Sequence, residues 1–130
     1  MVTVHLSWTD VAMREQEKEL LRDVVAHALV KDPDVIIVGD FNSGVPGIYE
    51  LAEALGMEVM VPVGQDGVGT THAGNRYDYF LISKDLADEE AITCRIETYA
   101  DDDLEMAKQV SDHLQVIAWF RTNDAFRDRK

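Results

Sequence analysis

Hydrophobic and polar residues alternate from the first positions of the chain. The alternation predicts a β-strand over residues 2–7, with one side formed by Val2, Val4 and Leu6. Thr9 or Asp10 can then cap a helix, whose apolar stripe at helical spacing is predicted to contain Met13, Leu20, Leu21, Val24 and Ala28. Pro33 ends this helix, because proline disfavours helical backbone at the residue before it.

Residues 35–38 are all apolar, so a strand over this segment has no polar residue on either of its faces. A strand of this kind is typical of a sheet that is covered on both faces. The remaining pattern predicts a helix over 48–55 and strands over 57–63, 77–83, 92–99 and 111–120. Gly56 lies where a glycine commonly ends a helix. The acidic segments 85–90 and 101–105 are interpreted as connections.

This order of elements predicts a fold of the α/β class, of the α+β type. We expect one mixed, mostly antiparallel sheet with helices on one face. Two helices cover only one face of such a sheet, so a partner chain or a missing half would have to cover the other. The length of 130 residues suits a single domain, residues 1–130, with a polar tail over 121–130.

Composition narrows the classes of function. The formal net charge of −13 repels phosphate backbones, which disfavours binding to long nucleic acid, and a phosphate site would need a cation to offset it. The single cysteine, Cys94, excludes an internal disulfide and is typical of the reducing cytoplasm, where we place the protein. No apolar segment is long enough to span a bilayer, and the N-terminus lacks the features of a signal peptide.

Polar side chains occur at the ends of predicted strands, where folds of this type display functional residues. The set contains His5, Asp40, Asn42, Asp78, Asp112 and His113. Together they suit hydrolysis of a phosphate ester. Asp40 would orient and deprotonate a water, and the amide of Asn42 would steady that carboxylate and donate to a phosphate oxygen. His113 would donate to the phosphate, held in one tautomer by Asp78, and Asp112 would bind a hard cation such as Mg²⁺.

Each residue also has a structural interpretation. Asp40 and Asn42 favour turns, and Asp112 suits a turn before a strand. His5 in a strand is commonly a packing residue. Asp78 is harder to explain structurally, because a buried carboxylate needs a partner. Two further histidines are weaker candidates, with His72 in a glycine-rich loop as a substrate contact and His27 on the first helix as a structural residue.

Four segments, "VTVHL", "VIIVGDFN", "NRYDYFLIS" and "SDHLQVIAWF", together resemble the endonuclease/exonuclease/phosphatase superfamily, which has the DNase I-like fold. The resemblance covers most of the chain but only the second half of the family's domain. It implies one half of a four-layer β-sandwich and a cofactor of Mg²⁺ or Mn²⁺. It also implies catalytic roles for His5, Asp40, Asn42, Asp78 and His113, and a metal-binding role for Asp112.

The resemblance therefore implies a metal-dependent phosphoesterase that hydrolyses phosphodiesters or phosphomonoesters. The family's first half carries an Asn and a metal-binding Glu that have no counterpart here, since Glu15 and Glu17 lie on a helix with the wrong surroundings. The abrupt initial strand is expected of a chain cut from a longer one, and we expect weak or no activity from the chain alone.

Two alternatives remain open. The chain could be a non-catalytic half-domain that homodimerises through its exposed sheet face. It could also be a doubly wound, receiver-like domain with Asp40 as phosphoacceptor. The predicted helix-free stretch over 77–120 argues against the receiver-like fold, because parallel strands need crossover connections.

Overall fold

The structure is a computed structural model, and it describes residues 1–63, 65, 67–89, 93–98 and 101–120. The predicted tail over 121–130 lies outside the described residues, as do residues 92 and 99 at the two ends of the strand predicted over 92–99.

The chain has the predicted α+β class, with a mixed and mostly antiparallel pairing of strands. The described strands are β1 (Val2–His5), β2 (Ile36–Asp40), β3 (Met57–Val59), β4 (Asp78–Ser83), β5 (Thr93–Ile96) and β6 (Val116–Trp119). They form a four-stranded sheet in the order β1-β2-β4-β3 and a separate two-stranded sheet of β5 and β6. Among the described strands, β1 and β2 are the pair that runs parallel.

The prediction of a single sheet is wrong, and burial of apolar surface explains why. The face of β4 that points away from the main core carries Ile82, which packs in one cluster with Met60 and Cys94. Val116 and Ala118 of β6 pack against the same cluster. The β5–β6 pair therefore lies over the face of the first sheet, where it buries these side chains, instead of extending the sheet at its edge.

The helices are α1 (Val11–Lys31), α2 (Val45–Leu55), α3 (Lys84–Glu89) and α4 (Asp101–Val110). Asp10 is the N-cap of α1, with a side-chain oxygen that accepts a hydrogen bond from the Met13 N–H at 2.9 Å. The segments interpreted as acidic connections form α3 and α4, so that interpretation is wrong. Acidic residues at the start of a helix interact favourably with its dipole, as Asp85 does in α3. None of the described helices combines the length and apolar character that crossing a membrane requires.

The apolar stripe predicted for α1 is partly wrong. Leu21 and Val25 are the buried residues of this helix, whereas Met13, Leu20 and Val24 are exposed. A helix turns by about 100° per residue, so two adjacent apolar residues cannot both face the sheet squarely. The helix therefore packs against the sheet through Leu21 and Val25 and leaves Leu20 and Val24 in solvent.

The main core lies between the first sheet and the two long helices, α1 and α2. Ile37 and Leu81 from the sheet and Ile48 from α2 are fully buried there. On the opposite side of β2, Ile36 packs against the second cluster, together with β6. The strand is thus covered on both faces, as its sequence predicts, and the two-stranded sheet supplies part of the layer that we expected to be missing.

Gly39 permits the close approach of β1 to β2. Its φ of 148° lies in a region that side chains rarely adopt, and a Cβ atom there would lie 1.9 Å from the backbone oxygen of Val4. Val4 and Gly39 are register partners, and the next partners are His5 and Asp40. The glycine therefore fixes how the two polar residues at the strand ends are aligned.

We predict that Gly39→Ala destabilises the fold by about 3 kcal/mol or more, because it adds both backbone strain and a clash with β1. Gly47→Ala in α2 is the matched control. Its added Cβ would meet nothing closer than 3.6 Å, so stability should change by less than about 1 kcal/mol, in the stabilising direction. Urea unfolding measures both values, and equal stabilities of the two variants would contradict this account.

Candidate active site

The strand register places three polar residues in one row across the first sheet. His5 on β1 pairs with Asp40 on β2, and Asp40 pairs with Asp78 on β4. Adjacent residues of a strand point to opposite faces, and Val4 packs against the helix-side core. The row therefore lies on the face away from α1 and α2, at the end of the strands.

His113 lies against this row, although it is distant in sequence. An isolated β-bridge between Thr71 and His113 holds its backbone. Its Nδ1 lies 2.7 Å from Asp78 Oδ2, within hydrogen-bond distance, and its Nε2 lies 3.8 Å from Asp40 Oδ2. The His113 side chain is 29% exposed, against 19% for Asp78 and 15% for Asp40. The imidazole thus lies between two largely buried carboxylates.

This contact explains how two carboxylates can face each other across paired strands, where like charges repel. Burial raises the pKa of the Asp78 carboxyl, and hydrogen bonding to Thr70 and His113 offsets part of that rise. Burial lowers the pKa of His113, but the hydrogen bond to Asp78 and the charges of Asp78 and Asp40 outweigh burial and raise the pKa overall. A positively charged imidazole is therefore favoured between the two carboxylates.

Asn42 stands in the turn that follows β2, and it is buried. Its φ of 46° is left-handed, an uncommon conformation for a residue other than glycine. The backbone N–H of Asn42 donates to Asp40 Oδ1 at 2.8 Å, so it is this group, and not the predicted side-chain amide, that steadies Asp40. The side-chain amide donates to the carbonyl of Leu6 at 2.6 Å, and Arg14 donates to the Asn42 carbonyl.

The remaining predicted residues lie at the rim of the site. The side chain of His5 is 78% exposed, with Nε2 at 3.7 Å from Asp40 Oδ2. Asp112 is exposed, and its backbone carbonyl accepts a hydrogen bond from the His72 N–H at 2.9 Å. The imidazole Nε2 of His72 is buried without a hydrogen-bond partner among the described residues. His27 lies exposed on α1 and is not among the residues that line the site.

The six predicted residues include five that line one cavity, of about 770 Å³. Its lining consists of His5, Trp8, Asp40, Asn42, Thr71, His72, Ala73, Asn75, Tyr77, Asp112 and His113. The sixth, Asp78, lies beneath His113. The sequence interpretation missed Trp8, Asn75 and Tyr77, because nothing in the hydrophobic pattern distinguishes a loop residue near a site from any other.

The buried Thr70 was also missed, although it joins the two halves of the site. Its hydroxyl oxygen accepts hydrogen bonds from the N–H groups of Tyr77 at 2.9 Å and Asp78 at 3.1 Å. Its carbonyl accepts one from Leu114 N–H at 2.7 Å. One residue thus connects the start of the Asp78 strand to the segment that carries His113.

Two sets of groups could hold a cation. Asp40, Asp78 and His113 offer ligand atoms within 4.8 Å of one another, but Asp78 and His113 satisfy each other by a hydrogen bond. Asp40 and Asp112 both line the cavity with carboxylates, the ligands that Mg²⁺ commonly takes one or two of while keeping several waters. Glu17 instead accepts hydrogen bonds from the N–H and hydroxyl of Ser7. The cavity thus offers carboxylate oxygens to a cation.

Comparisons with known proteins establish the fold. No family model and no curated protein matches the chain. Among solved structures, it is similar to a crystal structure of beta toxin 275-280 from Staphylococcus aureus, with a TM-score of 0.64 and 16% identity over 92% of this chain. The chain spans about half, 51%, of that toxin chain. The toxin has the DNase I-like fold, and at this identity the likeness shows the fold alone.

We predict that the pKa of His113, measured by NMR titration without metal, lies above the ordinary histidine value and falls in Asp78→Asn. Asp23→Asn on the exposed side of α1 is the matched control and should leave the pKa unchanged. An Asp78→Asn variant whose His113 titrates as in the unaltered chain would show that the hydrogen bond does not stabilise the imidazolium.

Stability should depend on pH through the same pair. Because folding raises the pKa of His113, its contribution to stability is fully present below the unfolded value of about 6.5 and is lost as pH rises through the folded value. The urea midpoint should therefore fall as pH rises through this window. His113→Gln should remove this part of the pH dependence, and a midpoint that rises over the window in the unaltered chain would contradict it.

Proposed function

We propose that the chain is a C-terminal half-domain of the endonuclease/exonuclease/phosphatase superfamily and contributes to hydrolysis of phosphate esters with Mg²⁺ or Mn²⁺. The observation that carries the proposal is the position of His113. Asp78 holds one nitrogen of its imidazole, and the other lies 3.8 Å from Asp40 at the wall of an open cavity. The DNase I-like fold is consistent with this chemistry.

Asp40 is proposed to orient and deprotonate the attacking water. One of its oxygens is occupied by the Asn42 N–H at 2.8 Å, which fixes the carboxylate and leaves the other oxygen beside the cavity. The Asn42 amide has a second N–H beyond the one it gives to Leu6, and we assign that group to a phosphate oxygen.

His113 is proposed to donate from Nε2 to a phosphate oxygen as negative charge increases there. The raised pKa favours the protonated imidazole, and the hydrogen bond to Asp78 fixes the ring. His5, on the other side of Asp40, can donate a second hydrogen bond from the exposed rim. A divalent cation held by Asp112 would supply positive charge opposite the phosphate, in a chain of net charge −13.

The metal-binding Glu of the family's first half has no counterpart among the residues that line the cavity. We therefore propose weak or no turnover by this chain alone, and full activity only with the other half of such a domain. The proposed site residues do not distinguish one phosphate ester from another. Each is proposed to contact the phosphate group and not the rest of the ester.

A second proposal is homodimerisation through the sheet face, and the incomplete cover of β2 and β4 by the second sheet favours it. Val38 and Phe80 are register partners on these strands and are only half-buried. A second copy of the chain could bury them further. Light scattering after size-exclusion chromatography gives the mass directly, and a monomer at high concentration would contradict the proposal.

We predict that any Mg²⁺-dependent hydrolysis of bis-nitrophenyl phosphate falls by about 100-fold or more in Asp40→Asn and in His113→Gln, because each removes a group that transfers or donates a proton. His27→Gln on the exposed surface of α1 is the matched control and should retain full turnover. Equal turnover in all variants would contradict the assignment.

If turnover is too slow to measure, binding gives a second readout. Inorganic phosphate with Mg²⁺ should shift the imidazole resonances of His113 in the NMR spectrum and leave those of His27 unchanged. Unshifted His113 resonances at saturating phosphate would also contradict the proposal.

A further inference from the structure

Trp8 is exposed at the rim of the cavity in a way that folding alone does not explain. The residue is 64% exposed, yet it lines the same cavity as Asp40 and His113. Its ring meets Tyr77 edge-on, with centroids 6.4 Å apart and planes inclined by 65°. Tyr77 is a second residue of the cavity lining, so this aromatic pair forms part of the wall. A large apolar side chain left open beside a polar site is typical of a ligand contact.

The backbone that carries Trp8 is fixed from helix α1. The N–H and hydroxyl of Ser7 donate to the two carboxylate oxygens of Glu17 at 2.7 and 2.8 Å. Arg14 Nη1 lies within hydrogen-bond distance of the carbonyls of Ser7 and Trp8, at 3.3 and 3.4 Å. An aromatic residue whose segment is already held loses less conformational entropy when it contacts a ligand. Trp8 is thus a preorganised surface.

The size and polarity of the cavity indicate what that surface contacts. About 770 Å³ is far more than a phosphate group needs and falls in the range of sites for small organic molecules. Asn75 is exposed, lines the same cavity and offers an amide group. An amide can form hydrogen bonds with the polar edge of a heteroaromatic ring, and a quaternary ammonium group has no such edge. The charge of −13 meanwhile disfavours a long polyanion.

We propose that Trp8 is a specificity determinant that stacks on a planar aromatic ring in the organic group of a small phosphate ester. The inference rests on the proposed function for the phosphate end of the site. The aromatic surface formed by Trp8 and Tyr77 is a separate part of the cavity. The class of substrate is therefore a monomeric, ring-bearing phosphate ester. Trp8 itself takes no part in the transfer of protons or of the phosphoryl group.

The test compares probes that share a phosphate or a ring. AMP and ribose 5-phosphate differ by the ring alone, and adenosine carries the ring without the phosphate. Calorimetry with Mg²⁺ should show that AMP binds about tenfold more tightly than ribose 5-phosphate, the effect of stacking one base on an aromatic residue. Adenosine and AMP should shift the indole N–H resonance of Trp8 and leave that of Trp119, the other tryptophan of the chain, in place.

Variants separate the ring contact from the fold. Trp8→Ala should remove the preference for AMP and leave the affinity for ribose 5-phosphate unchanged, whereas Trp8→Phe should retain part of the preference. Trp119→Ala is the matched control. Trp119 lies under Arg95 on the second sheet, outside the cavity lining, and its loss should not alter the AMP preference.

The outcomes distinguish this inference from the proposed function. Equal affinities for AMP and ribose 5-phosphate, or no binding of either, together with an unshifted Trp8 resonance, would overturn the ring contact. Binding of adenosine through Trp8 without any binding of ribose 5-phosphate would support the ring contact and count against the phosphate site. Tighter, Trp8-dependent binding of phosphocholine than of AMP would also overturn the inference, because the indole would then recognise a cation.

Discussion

Two carboxylates paired across adjacent strands are the constraint on which the site depends. Asp40 and Asp78 are register partners at the ends of β2 and β4, where repulsion would disfavour both charges. His113 removes the difficulty by placing its imidazole against both, 2.7 Å from one and 3.8 Å from the other. The segment around His113 is held in turn by the Thr71 bridge and by the Thr70 carbonyl. The position of one imidazole thus couples a loop, the last strand and the first sheet.

The backbone beside Asp40 also adopts uncommon conformations. Gly39 lets β1 approach so closely that His5 and Asp40 share a row, and Asn42 takes a left-handed conformation immediately after Asp40. Conformations of this kind cost free energy and persist where their surroundings enforce them. Here the enforcing contacts are the Leu6 carbonyl and the Arg14 guanidinium. The unusual backbone of Gly39 and Asn42 and the paired carboxylates of Asp40 and Asp78 therefore lie together, at the place where the chemistry is proposed.

The sequence predicts the parts of this structure that depend on local periodicity. The alternation over residues 2–7 and the apolar segment before Gly39 lead directly to β1 and β2, and polar residues at strand ends lead to five residues of the cavity lining. The second sheet could not be predicted, because it forms to bury Ile82 by contacts between segments distant in the chain. Thr70 and Trp8 were missed for the same reason, since their roles arise from neighbours that only the fold supplies.

The most direct test of the account is the tautomer of neutral His113, measured by long-range ¹H–¹⁵N correlation at a pH above its pKa. If Asp78 holds the ring, the proton remains on Nδ1, and Nε2 shows the shift of an unprotonated ring nitrogen. Asp78→Asn should weaken this preference for one tautomer. A proton on Nε2, or an equal mixture of the two tautomers, would contradict the claim that the Asp78–His113 pair orients the site.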